Sequence, residues 1–190
     1  MSNIGFALTG SFCTFDNAIK QMKILKAAGH NLTPIMSYNA YNFDTKFGTA
    51  ESFKSQIESV CENKIIHTIQ QAEPIGPKKM FDALLVEPCS GNTLAKIALG
   101  IVDTPVTMAV KSHLRNSSPV LLAVSTNDAL GNAAKNIGFL LNVKNIYFVP
   151  MGQDNKYFKP RSVVADFEMT ELALNHALDN KQIQPIIKSY

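Results

Sequence analysis

Three short polar stretches each follow an apolar run and precede a helical pattern: Thr9-Gly10-Ser11, Ser90-Gly91-Asn92-Thr93 and Ser125-Thr126-Asn127. In the first, Gly10 permits close backbone approach, and the Thr9 and Ser11 hydroxyls lie beside the free amides of a helix start. That combination suits a single phosphate, as in a mononucleotide. An ordinary serine N-cap explains the same residues equally well. A dinucleotide fingerprint is excluded, because Gly5 and Gly10 are too few and wrongly spaced. A Walker A loop fails for want of Gly-Lys-Ser/Thr.

The second stretch repeats the pattern, so two such turns from one sheet can face one ligand. In the third, Asn127 can donate and accept at a planar polar ligand or a carboxylate. Asn127 or Asp128 can equally cap the next helix. No obvious general base stands beside these turns. Glu87 could titrate at its strand end, but a solvent-facing or hydrogen-bonded carboxylate is the simpler reading.

Hydrophobic periodicity places these stretches on a frame. Strands are expected over 3–9, 31–37, 82–88, 105–110, 119–126 and 145–151, the last closing the sheet. Helices are expected from the first turn to about residue 28, then over 49–62, 91–103, 127–142 and 163–180. Residues 38–48, with Tyr38, Tyr41, Phe43 and Phe47, read as an aromatic loop. Strands alternating with helices imply an α/β fold: a single three-layer domain over 1–190, an open parallel sheet with helices on both faces. Ligands then bind at the carboxyl ends of the strands, here 9–11, 37–43, 88–93 and 125–127.

The bulk numbers narrow the classes. A hydrophobic share of 46% and a charged share of 17% describe a globular core. The net charge of +3 is mild and the basic residues are scattered, which argues against nucleic-acid and membrane partners. The N-terminal MSNIGFALTG reads as a strand, not a signal peptide. Cys13, Cys61 and Cys89 show no metal-type spacing and suit reduced thiols in a cytoplasmic protein.

Taken together, these stretches resemble the flavoprotein family of homo-oligomeric flavin-containing Cys decarboxylases. Phosphopantothenoylcysteine decarboxylase, lantibiotic peptidyl-cysteine decarboxylases and flavin prenyltransferases belong to it. The family's Thr-Gly-Ser turn is matched by Thr9-Gly10-Ser11, and its Pro-Ala-Ser-Ala-Asn-Thr stretch by Pro88-Cys89-Ser90-Gly91-Asn92-Thr93. Its Lys-Ile-Ala-x-Gly-x-x-Asp stretch falls on Lys96, Gly100 and Asp103. Two departures count against cysteine decarboxylation. Val124-Ser125-Thr126-Asn127 stands where the decarboxylases carry Pro-Ala-Met-Asn, and His67 is further from its strand than their active-site histidine.

The longer stretches AEPIGPKKMFDALLVEP, KSHLRNSSPVLLAVSTNDALG and IYFVPMGQDN resemble one branch of this family, from spore-forming bacteria. The resemblance implies a Rossmann-like flavoprotein fold, FMN as cofactor, and a homo-oligomer that is a trimer or a multiple of it. It implies oxidation of a small dicarboxylate together with a different, dehydrogenase-like protein chain. Thr9, Gly10 and Ser11 would hold the phosphate. Ser37, Ser90, Gly91, Asn92, Thr93, Ser125 and Thr126 would contact the cofactor, with Asn127 in the catalytic position. Lys111, His113 and Arg115, and Arg161 beyond them, are further candidates for the dicarboxylate, though they read more simply as solvated charges. The aromatic loop 38–47 and the tail 180–190 are candidate surfaces for the dehydrogenase-like partner. A non-catalytic scaffolding protein that keeps this fold is the competing reading, and an independent decarboxylase a third.

Overall fold

A computed structural model describes residues 1–188; the last two residues of the 180–190 tail lie outside the described residues. The apolar run at the N-terminus forms β1 (Asn3–Leu8), paired in parallel with β2 (Asn31–Met36) and β3 (Ala83–Cys89). β3 pairs in parallel with β4 (Val120–Thr126), carrying one extra residue between Val86 and Cys89. The first half of β4 takes the short parallel strand β5 (Ile146–Phe148). Its last two residues instead pair antiparallel with β7 (Val163–Ala165), which forms a hairpin with β6 (Met151–Gln153). The sheet therefore has seven strands, mostly parallel, with an antiparallel hairpin beyond the end of β4.

Alternation along the strands feeds two cores. Ile4, Phe6, Leu8, Ala83 and Leu85 pack under α1 (Phe15–Ala27), α3 (Ala50–Cys61) and α8 (Thr170–Leu178). Ala7, Leu84, Val86 and Leu122 face the other way, toward α4 (Ile69–Ala72), α5 (Gly91–Leu99), α6 (Pro105–Leu114) and α7 (Ala134–Leu140). Helices thus cover both faces, as a parallel sheet requires. Among the described residues no helix is long and apolar enough to cross a membrane.

Five expectations need correction. The apolar run 105–110 is not a strand but the start of α6. Pro105 occupies its first turn, and Thr104 and Thr107 cap it reciprocally: each hydroxyl accepts the other's backbone N–H at 3.1 Å. Residues 163–165 form β7, so the last helix starts only at Thr170. The 38–48 segment contains a short helix, α2 (Tyr38–Asn42), which Ser37 caps through the Ala40 N–H. Residues 127–133 are turns, leaving α7 half the expected length. The helix from Gly91 also stops early, where Gly100 adopts a left-handed conformation (φ +69°) that favours glycine.

Candidate functional site

The carboxyl ends of β1, β3 and β4 meet, and side chains from the three polar stretches tie them together. The Thr9 hydroxyl donates to the Pro88 carbonyl (2.8 Å) and accepts the Ser90 N–H (2.9 Å). Thr9 is fully buried, so its side chain braces two turns and does not face a ligand. That corrects its assignment as a phosphate contact. The Ser11 hydroxyl donates to the Ser125 carbonyl (2.6 Å), tying the first turn to the third.

Gly91 completes the junction. A Cβ there would lie 2.6 Å from Thr126 Oγ1 and 3.3 Å from Thr126 Cβ, so only glycine lets the start of α5 approach the end of β4. Gly91→Ala should destabilise the fold by about 1–3 kcal/mol in urea titrations, although alanine favours an uncrowded helix. Thr126→Ala in the same chain should restore most of that loss. Equal stability of Gly91→Ala and the parent would refute the close packing.

Two cavities open over this junction and share Gly10, Ser90 and Asn92. The smaller, about 350 Å³, is lined by Ser37, Tyr38, Asn39, Thr93 and Thr104. Its donors are hydroxyls and the Asn92 N–H in the first turn of α5, which no helix can satisfy internally. The Gly10 N–H also has no acceptor among the described residues. Lys96 lies here too, held by both oxygens of Asp103 at 2.8 Å. The larger cavity, about 910 Å³, is lined by Ser11, Gly91, Ser125, Thr126 and Asn127 and by residues of the peripheral loops. Asn127 is exposed at its edge. Nine of the ten expected cofactor contacts line one cavity or the other; Thr9 alone does not.

Other expectations fall elsewhere. His67 stacks on Tyr41 (ring centroids 4.1 Å, 5° between planes), and its Nδ1 lies 3.2 Å from the Ile65 carbonyl. It lines a separate cavity with Lys54, Glu58 and Lys64, away from the strand-end turns. His113 is not a solvated charge: it is buried on α6, its Nε2 3.1 Å from the Pro119 carbonyl, and burial lowers its pKa. Lys111 and Arg115 line an apolar groove with Leu114 and Phe139. Arg161 is exposed and lines neither strand-end cavity. Cys89 is buried, and desolvation pushes its thiol up to about 12, which removes it as a nucleophile.

Glu87 is the feature that sequence reasoning placed in the wrong environment. It is fully buried one residue before Pro88, on the face that α8 covers. Thr170 donates to Oε2 (2.8 Å), and Oε1 has no partner. Burial pushes this carboxyl up to about 8, so it is neutral below that pH. The alternation of β3 held the signal: Ala83 and Leu85 face the same core.

Comparison with known proteins gives this arrangement a context. A family model described as Flavoprotein matches residues 1–179. The chain is 39% identical over 184 residues to the B subunit of dipicolinate synthase from Bacillus subtilis (strain 168), covering 97% of this chain and 92% of that one. The crystal structure of the dipicolinate synthase B subunit from Bacillus halodurans superposes with a TM-score of 0.91 at 40% identity, over 99% of this chain and 96% of that one. DmrB of Burkholderia xenovorans in complex with FMN, described as a cubic protein cage for redox transfer, shares the fold. Its TM-score is 0.70 at 17% identity, over 94% of this chain and 96% of that one.

Proposed function

The chain belongs to the Flavoprotein family, and from that premise we propose that it is the FMN-carrying B subunit of a dipicolinate synthase. In this reading it acts in the cytoplasm of a sporulating cell with the dehydrogenase-like A subunit of that synthase, oxidising dihydrodipicolinate to dipicolinate. A homo-oligomer, trimeric or a multiple of it, is part of the proposal. The observation that carries the flavin assignment is the pair of adjoining cavities over three braced turns. The smaller offers hydroxyls and free backbone N–H groups for a phosphate, and the larger has room for a planar ring and a small substrate.

Bound FMN would supply a two-electron acceptor, and loss of two electrons and two protons converts the dihydropyridine ring of the substrate into an aromatic pyridine. The chain's own residues position and recognise. Ser90, Thr93, Ser37 and the N–H groups of Gly10 and Asn92 hold the phosphate end. Thr9 and Ser11 keep those groups in register from behind. Asn127, just beyond the end of β4, offers a carboxamide to the reacting ring.

The test is a titration of FMN with the purified protein, followed by gel filtration. A yellow protein with quenched flavin fluorescence is expected. A colourless protein that leaves flavin fluorescence unchanged at saturating concentrations would overturn the assignment.

A further inference from the structure

Among the described residues one cation lines the smaller cavity, Lys96. It follows Asn92 and Thr93 by one turn of α5, so the three share a helix face, and a helical side chain leans back toward the start of its helix. Lys96 also lines the apolar groove of Leu99 and Leu114. Its ion pair shows which end goes where. The ammonium lies 2.8 Å from both oxygens of Asp103, and Asp103 lines the cavity but not the groove. The aliphatic stem therefore covers the groove while the charge reaches the cavity.

Within the pair the cation is the more enclosed partner: its side chain is 22% exposed, against 54% for Asp103. An ammonium has three N–H donors. Asp103 accepts two, and the third has no acceptor among the described residues. A phosphomonoester carries roughly two negative charges at neutral pH. The hydroxyls and backbone N–H groups of the cavity bring no full charge to meet them, whereas a spare ammonium donor does.

Resting on the flavin reading above, we propose that Lys96 is a further phosphate-binding residue. Its third N–H donates to a phosphate oxygen, while the other two keep the ammonium on Asp103 at the cavity wall.

Lys96→Met keeps the stem and removes the charge. The probes are FMN and riboflavin, which lacks the phosphate, each titrated by flavin fluorescence, with melting temperatures measured alongside. FMN affinity should fall about tenfold or more, while riboflavin affinity and the melting temperature stay close to those of the parent. Lys96→Arg retains the charge and should keep most of the FMN affinity. Part of the loss in Lys96→Met comes from the Asp103 carboxylate, left unpaired before the phosphate. Asp103→Asn removes that contribution, and in this background Lys96→Met should still weaken FMN severalfold. No loss in the Asp103→Asn background would show that Lys96 only masks Asp103, and would overturn the inference. Equal weakening of FMN and riboflavin overturns it too. Unchanged FMN affinity in Lys96→Met overturns it and leaves the flavin reading intact. Inorganic phosphate, titrated calorimetrically into the same proteins, separates the two readings further. A parent that binds phosphate through Lys96 but neither flavin upholds the inference and refutes the flavin reading; a parent that binds none of the three overturns both.

Discussion

Replacing Ser11 with aspartate should abolish retention of FMN through gel filtration, weakening binding by a hundredfold or more, on the order of 3 kcal/mol. Two effects act in the same direction. The Ser11 hydroxyl donates to the Ser125 carbonyl at 2.6 Å, and a carboxylate there presents an acceptor to an acceptor, which pushes the first turn away from the third. The same carboxylate also brings negative charge beside the groups proposed to receive a phosphate, which lines up two anions in a partly buried site. Ser11→Ala separates the two contributions. It loses the brace but adds no charge, so FMN should weaken by about tenfold only. Equal affinities in Ser11→Asp and the parent would show that the phosphate lies elsewhere.

The second large effect concerns stability against pH and originates at Glu87. Its carboxyl has a folded-state value of about 8 against an ordinary 4.5, because the side chain is fully buried and only Oε2 has a partner. The folded state therefore holds a proton that the unfolded chain has released between those two values. Stability falls as pH rises through that window, by about 1.4 kcal/mol per pH unit at its steepest. Below the window both states are protonated and Glu87 costs little; above it the folded state carries a buried carboxylate. Glu87→Gln stays neutral at all pH and accepts the Thr170 hydroxyl in the same way. Between pH 5 and 8 its melting temperature should stay nearly level while that of the parent declines by roughly 3–5 °C per pH unit. Parallel melting curves for the two proteins across that range would mean that Glu87 is ionised and solvated in the folded state.

Much of the frame was legible because parallel strands buried on both faces leave unbroken apolar runs. Residues 3–8, 83–88 and 120–126 carry that pattern, and all three polar stretches lie at the strand ends where it places them. The missed elements are those where local chemistry overrides a short apolar run. Residues 105–110 have the composition of a strand, but the reciprocal Thr104–Thr107 cap and Pro105 start a helix; a threonine in place of the usual glutamate hid the capping box. Residues 163–165 read on into the helix behind them, and only their antiparallel pairing with Ser125 and Thr126 makes them a strand.

The site was legible in its residue types more than in their roles. Hydroxyls at strand ends signal a polar ligand, yet nothing local distinguishes Ser90, which faces a cavity, from Thr9, whose hydroxyl is consumed by partners 79 and 81 residues away.

Whether this chain itself holds the electron acceptor is decided by anaerobic titration of the FMN-loaded protein with freshly generated dihydrodipicolinate, first alone and then with the dehydrogenase-like partner added. Bleaching of the visible flavin band in step with the appearance of dipicolinate is the expected result, with the partner increasing its rate. A flavin band that stays oxidised in both arms, while dipicolinate accumulates only once the partner is added, would refute the flavin's role. It would make this chain a scaffold for chemistry carried out by its partner.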